Sequence, residues 1–367
     1  MPALLLPPAW SAFTAFTRFA PPQPLRTFFR STAYKFSPPR PHLPQFTGAQ
    51  NFLLTSGRAE LRQRSSVLCE KRGGAVPTIV LGGFVPDATE QVYLLREFLL
   101  RQGSMYYFNY PRAGFSLDLV CAQLDDLVNE INERHGQRPV ILGVSFGAGL
   151  VLEWLRRARL ESCPEGHAGV VLVSPVACTA DILGPGETKP STLMGRALKP
   201  LIDAGAHIEQ AAIEKARVVF TKMFEAGARN KASLRSLMSS DELRSLRAGA
   251  LGAIQAIEAV GACERVAALN QMSALSAWGD SPRPLSERPA LVLYAEKENA
   301  VLVASSPTRA ALDTTLSEFF PQGRGELVCG GSSPVQHASL IFHHAEFLPP
   351  IAKFYREIKS RGSRLAA

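Results

Sequence analysis

The first 59 residues contain no aspartate or glutamate, and that absence decides how the charge of the chain is to be read. Arg18, Arg26, Arg30, Lys35, Arg40 and Arg58 lie there and carry +6 of the +8 assigned to all 367 residues. Everything after them is left at +2, so the basic balance describes a tail and not a broad face for nucleic acid. Paired cysteines are missing too. Six cysteines are scattered from Cys69 to Cys329 with no Cys-x-x-Cys and no histidine at ligand spacing. Neither a zinc site nor a disulfide framework is expected, and the thiols read as small core residues in a reducing compartment. No apolar run reaches the ~18 to 20 residues of a membrane-spanning helix. The first 22 residues are apolar, but Pro7, Pro8, Pro21 and Pro22 interrupt them and no basic region opens them, which weighs against a secretory signal. Ten prolines in the first 44 residues also oppose stable structure. Residues 1–60 are therefore expected to be a disordered or targeting extension. The protein is expected in the cytoplasm, or in an organelle if residues 1–59 are a transit segment. Internal repeats are lacking as well.

The whole chain has 46% hydrophobic and 20% charged residues, enough for a sizeable buried core. From about residue 62, short β-like runs alternate with helical ones. The runs are Pro77–Leu81, Met105–Tyr110, Pro139–Leu142, Val170–Val173, Ala290–Tyr294 and Glu326–Cys329, with Ser66–Cys69 as a weaker edge candidate. They are apolar without alternation, as strands covered on both faces must be, so the fold class expected is α/β: a mostly parallel sheet with helices on both faces. Val120, Leu124, Leu127 and Ile131 repeat at helical spacing between a Ser116 N-cap and Gly136. Val92, Leu95 and Leu99 mark a helix closed near Gly103, and Ala338–Phe347 reads as another. Residues 179–288 hold no convincing strand, and Ser239 with Glu242 fits a capping box. They read as a helical cap inserted into a core made of residues 61–178 and 289–360.

One short stretch carries chemistry. Gly143-Val144-Ser145-Phe146-Gly147 follows a strand-like run and precedes a helix-like one, with an acid and a histidine later in the chain. A serine hydroxyl is a poor nucleophile until a base takes its proton, and a tight strand-to-helix turn that exposes it needs glycines where a Cβ would collide. The order of elements and four local patterns resemble the α/β-hydrolase fold across roughly residues 62–360. The serine pentapeptide is similar to that family's nucleophile elbow, and Leu81-Gly82-Gly83-Phe84 to the loop after its third strand, with Gly82 where histidine is usual. Asn109 to Ser116 resembles the family's post-strand turn, with Asn109 replacing an acid. Tyr294 to Glu298 and Pro334 to His337 stand where the resemblance places the acid and the base.

The resemblance implies a serine hydrolase with Ser145 as nucleophile, His337 as base and Glu298 as acid, needing no metal or organic cofactor. The oxyanion hole it implies is the pair of backbone N–H groups of Phe84 and Phe146, because negative charge developing on a tetrahedral intermediate needs fixed donors. Glu296 and Asp181 compete with Glu298 for the acid, and His343 and His344 with His337 for the base. A small-molecule acyl substrate, an ester or thioester with an apolar acyl part, is the expected partner. Acyl transfer or C–C hydrolysis at the same triad, or a non-catalytic binding role, are the alternatives. Ile208, Ile213, Val218 and Phe224 either pack the cap or line an acyl pocket, which the sequence leaves open.

Overall fold

Apolar runs that lack alternation become the central strands of one sheet. The structure, a computed structural model, describes residues 38–163, 165–187, 189–203, 210–228, 237–272, 284–331 and 333–365. Its strands are β1 (Arg40–Pro41), β2 (Ser66–Glu70), β3 (Thr78–Leu81), β4 (Met105–Asn109), β5 (Val140–Val144), β6 (Gly169–Val173), β7 (Ala290–Ala295) and β8 (Gly323–Val328). They form an eight-stranded sheet in the order β1-β2-β4-β3-β5-β6-β7-β8. From β4 across to β8 every pairing is parallel, whereas β2 runs antiparallel to both β1 and β4. The Ser66 run is thus a strand, but not at the edge, because the two-residue β1 lies outside it. Strands β3 to β7 alternate faces at period two. Ile79, Leu81, Ile141 and Leu172 join one core cluster, and Val80, Leu142, Val171 and Leu291 the other.

The helices named here are α1 (Gly48–Thr55), α2 (Ala88–Gln91), α3 (Arg96–Leu100), α4 (Leu117–His135), α5 (Phe146–Leu160), α6 (Ala180–Leu183), α7 (Leu193–Asp203), α8 (Gln210–Ala228), α9 (Ser240–Ala256), α10 (Ala259–Gln271), α11 (Pro307–Thr314), α12 (Leu316–Phe319) and α13 (His344–Leu365). Helix α4 begins and ends as its caps dictate. Ser116 Oγ accepts the Leu119 N–H at 3.3 Å, and Gly136 closes the helix in the left-handed region at φ 59°. Ser239 and Glu242 form the expected reciprocal box at the start of α9. Two expected helices differ. The Val92–Leu99 run opens as a turn over residues 92–95 and becomes helical only in α3, and residues 338–343 are turn and coil, so that α13 starts only at His344.

Residues 38–60, read from composition as part of an extension, carry β1 and α1. Asp126 on α4 accepts the N–H groups of Ala49 and Gln50, each at 3.0 Å, placing a carboxylate at the positive end of α1. Leu53 packs against Leu119 and Ala122. Residues 1–37 and Ile208 lie outside the described residues. Between β6 and β7 the elements of the described residues are all helices, joined by turns and coil, with no strand among them. No helix among the described residues is long and apolar enough to cross a membrane.

Sheet topology sets where a site can form. The chain leaves β3 toward β4 on one side, while it leaves β5 toward β6 on the other. Connections diverging from neighbouring strands leave a crevice beyond their carboxyl ends.

Candidate active site

Ser145 sits in that crevice, at the junction of β5 and α5. Its backbone is held at φ 53° and ψ −115°, a conformation an L-residue keeps only when its surroundings over-determine it. They do. The Ser145 N–H donates to the Val173 carbonyl at 2.8 Å, and its carbonyl accepts the N–H groups of Ala148, Gly149 and Val176 at 3.0 to 3.2 Å. The flanking glycines are required by space. A Cβ on Gly143 would stand 2.6 Å from Ala148 Cα, and one on Gly147 would stand 2.3 Å from the carbonyl oxygens of both Leu81 and Gly82. Helix α5 can therefore start directly beneath β3 only where the chain has no side chain.

From Ser145 a hydrogen-bonded chain runs through His337 to Glu298. Ser145 Oγ lies 2.8 Å from His337 Nε2, and His337 Nδ1 is bonded to Glu298 Oε2. The loops bearing the acid and the imidazole are tied together by the Lys297–Gln336 bridge and by the Lys297 N–H donating to the Val335 carbonyl at 2.9 Å. Glu298 is 3% exposed. Its Oε1 accepts Ser174 Oγ at 2.7 Å and the Ala295 N–H at 2.6 Å. Burial pushes the Glu298 carboxyl up, but the His337 charge and the hydrogen bonds from His337, Ser174 and Ala295 outweigh it and hold the group below its ordinary value. Ser174 in turn accepts the Ala338 N–H at 3.2 Å, so one hydroxyl steadies both the acid and the residue after the imidazole.

The competing residues lie elsewhere. Glu296 is exposed and accepts the Gly330 N–H at 3.2 Å. Asp181 is fully buried, and its carboxylate accepts the N–H groups of Ala177, Cys178 and Thr308 and the hydroxyls of Ser306 and Thr308, at 2.7 to 3.1 Å. It staples α6 to the start of α11. His343 is buried between Ser333 and Ser339, with its ring nitrogens 3.2 and 3.0 Å from their hydroxyls, and burial lowers its pKa.

Beside Ser145 runs the loop Gly82–Pro86. A Cβ on Gly83 would come within 3.4 Å of Ser145 Cβ, which measures how close that loop approaches. No backbone carbonyl among the described residues takes the N–H of Phe84 or of Phe146. The departures from the family pattern are accommodated by contacts. A Cβ on Gly82 would stand 2.9 Å from the Ala88 nitrogen, so no histidine fits there, and Asn109 Oδ1 accepts the Ala88 N–H at 3.2 Å.

Ser145 and His337 open into a cavity of about 630 Å³, within the size range of small-molecule sites. Its walls are mostly apolar. Val219, Phe220, Met223 and Phe224 of α8 supply one side, Met194 and Ile254 add to it, and Ile341 and Phe342 face them. Of the positions whose role the sequence left open, Phe224 lines this cavity, Ile213 is wholly buried in packing and Val218 is half exposed.

Ser174, Gln91 and Arg265 also hold this site and were not singled out from the sequence. Ser174 carried one signal, its place directly after the β6 run. Gln91 and Arg265 carried none, because their partners are distant loops.

A model of the alpha/beta hydrolase family matches residues 82–348, and the chain belongs to that family. Within this class, solved structures similar to the chain include an esterase from Exiguobacterium antarcticum, with 13% identity and a TM-score of 0.52 over 80% of this chain and 96% of that one. An esterase from a Rhodococcus species (17% identity, TM-score 0.50) and a bromoperoxidase from Bacillus anthracis (17%, 0.50) each cover 80% of this chain and 96% of their own. At these identities the likeness is one of fold. No curated protein sequence matches the chain.

Proposed function

We propose that the protein is a serine hydrolase that cleaves a carboxylic ester or thioester with an apolar acyl group. The observation that carries this reading is the hydrogen-bonded chain Ser145–His337–Glu298 opening into an apolar cavity. His337 Nε2 takes the Ser145 hydroxyl proton as Oγ bonds to the acyl carbon, and the carbonyl oxygen becomes an oxyanion. The N–H groups of Phe84 and Phe146 receive that charge. The imidazolium returns its proton to the departing alcohol or thiol, leaving an acyl-Ser145. Water then attacks this ester, gives its proton to His337 and releases the acid, and Ser145 regains its hydrogen. Glu298 holds the imidazole in the tautomer with the proton on Nδ1 and stabilises the imidazolium. In this reading residues 179–288 are a cap over the core formed by residues 61–178 and 289–360, and helix α8 of that cap meets the acyl group.

A fluorophosphonate probe tests it. Wild type is expected to be labelled and Ser145→Ala not. Labelling that persists in the variant would remove Ser145 from the role, and no labelling together with no turnover on a broad ester and thioester panel would favour a binding protein.

A further inference from the structure

Arg265, on α10, is the largest fully buried side chain of the described residues, at 1% exposure. It has no carboxylate within ion-pair distance among them. Asp87 is taken by Arg112, with Oδ1 2.9 Å from Nη1, and Glu264 accepts the Phe115 N–H at 2.6 Å. Instead the Arg265 guanidinium donates from Nη1 to the Phe84 carbonyl and from Nη2 to the Pro111 carbonyl at 3.0 Å. It also lies over the Phe84 and Tyr110 rings, at 5.6 and 5.4 Å from their centroids. Burial pushes its pKa down to about 10, so it stays cationic at neutral pH. An apolar side chain of similar volume would fill the same space without the desolvation cost of a cation.

The charge is spent on one loop. Tyr110 OH donates to the Gly82 carbonyl at 2.9 Å, Gln91 Oε1 accepts the Gly83 N–H at 2.8 Å, and Arg265 takes the Phe84 carbonyl. The peptides on either side of the Gly83–Phe84 bond are thereby pinned. The N–H left between them is that of Phe84. Helix α10 is itself seated on the neighbouring loop, since a Cβ on Gly261 would stand 2.0 Å from the Arg112 carbonyl oxygen and the Glu258 N–H donates to that oxygen at 3.1 Å.

We propose that Arg265 is a positioning residue which, by holding the Phe84–Val85 peptide from α10, fixes the orientation of the adjoining Phe84 N–H beside Ser145. The inference rests on the reading of Phe84 as an oxyanion donor. It makes a helix outside the sheet, and not the core alone, responsible for that donor.

The test compares Arg265→Met and Arg265→Lys with wild type in two ways. Amide hydrogen exchange across residues 81–86 is expected to accelerate about tenfold or more in Arg265→Met, while residues 140–160 exchange as before. With p-nitrophenyl butyrate, kcat is expected to fall about tenfold to a hundredfold, less than the ~10²–10³-fold for complete loss of a donor, with KM little changed and Arg265→Lys recovering part of the loss. Unchanged exchange across 81–86 overturns the proposal whatever the turnover. So does a loosened loop with unchanged kcat, which would leave Arg265 a structural tie only. If Arg265→Met does not fold, Arg265→Gln takes its place with the same outcomes. A wild type that neither hydrolyses esters nor takes the fluorophosphonate overturns the serine-hydrolase reading instead, and the exchange comparison still decides for or against the pinning.

Discussion

Three carboxylates within reach of one reading are separated by what each accepts. Glu298 accepts His337, Ser174 and Ala295; Glu296 faces solvent; and all the contacts of Asp181 tie a buried corner together. Glu298→Gln is expected to lower kcat by up to about 10⁴-fold, the order found when a triad acid becomes an amide and the imidazole tautomer is no longer enforced. Glu296→Gln should leave turnover nearly intact in the same steady-state assay. Asp181→Asn is expected to keep the active site but cost roughly 3 kcal/mol in a denaturant melt, because an amide cannot accept from all the donors aimed at the buried carboxylate. If Asp181→Asn instead abolished turnover at unchanged stability, the acid assignment would move.

The element that carries Ser145 is defined by where side chains cannot go. Gly147→Ala would drive a Cβ into the Leu81 and Gly82 carbonyls at 2.3 Å, so β3 and α5 must separate. Loss of probe labelling and a lowered melting temperature are expected. The same substitution at Gly252, on α9 with nothing within 4 Å of its Cβ, should raise stability by about 0.5–1 kcal/mol through helix propensity. Glu90, on α2, shows how α9 meets the core. Its Oε1 lies 3.5 Å from the Cβ position of Gly249, and its pKa is raised from 4.5 to about 7 by burial and then by the charge of Asp87, against the Thr89 hydrogen bond and Arg112. Between pH 4.5 and 7 the folded protein holds a proton the unfolded chain has released, so this group's contribution falls as pH rises through that window. Glu90→Gln should therefore raise the melting temperature more at pH 8 than at pH 5. An equal shift at both would mean that Glu90 titrates normally.

At the scale of the molecule, α8 turns the stripe Val219, Phe220, Met223 and Phe224 toward Ser145 and so sets what the cavity of about 630 Å³ admits. Each added methylene of an acyl chain that still fits gains about 0.8 kcal/mol, close to fourfold in kcat/KM. Specificity is expected to climb with acyl length on p-nitrophenyl esters and then break off. Met223→Trp should move the break to shorter chains, and an unchanged length profile would place the acyl group elsewhere.

Much of the fold is legible in the sequence. Local constraints fixed the elements: unbroken apolar runs mark strands buried on both faces, Ser116, Gly136 and Ser239 mark helix ends, and Gly143 and Gly147, each two positions from Ser145, mark a turn too crowded for a Cβ. These rest on a residue and its near neighbours, so the chain alone determined a parallel sheet, a serine held on a tight strand-to-helix turn and the order in which a carboxylate and a histidine follow it. Tertiary structure decided the rest. Which carboxylate meets His337 depends on the bridge joining the Lys297 and Gln336 loops, and whether Phe224 packs or lines a cavity depends on the roll of α8. Gln91 and Arg265 hold a loop to which no sequence spacing relates them, because a hydrogen bond between distant segments exists only once the fold has brought its donor and acceptor together.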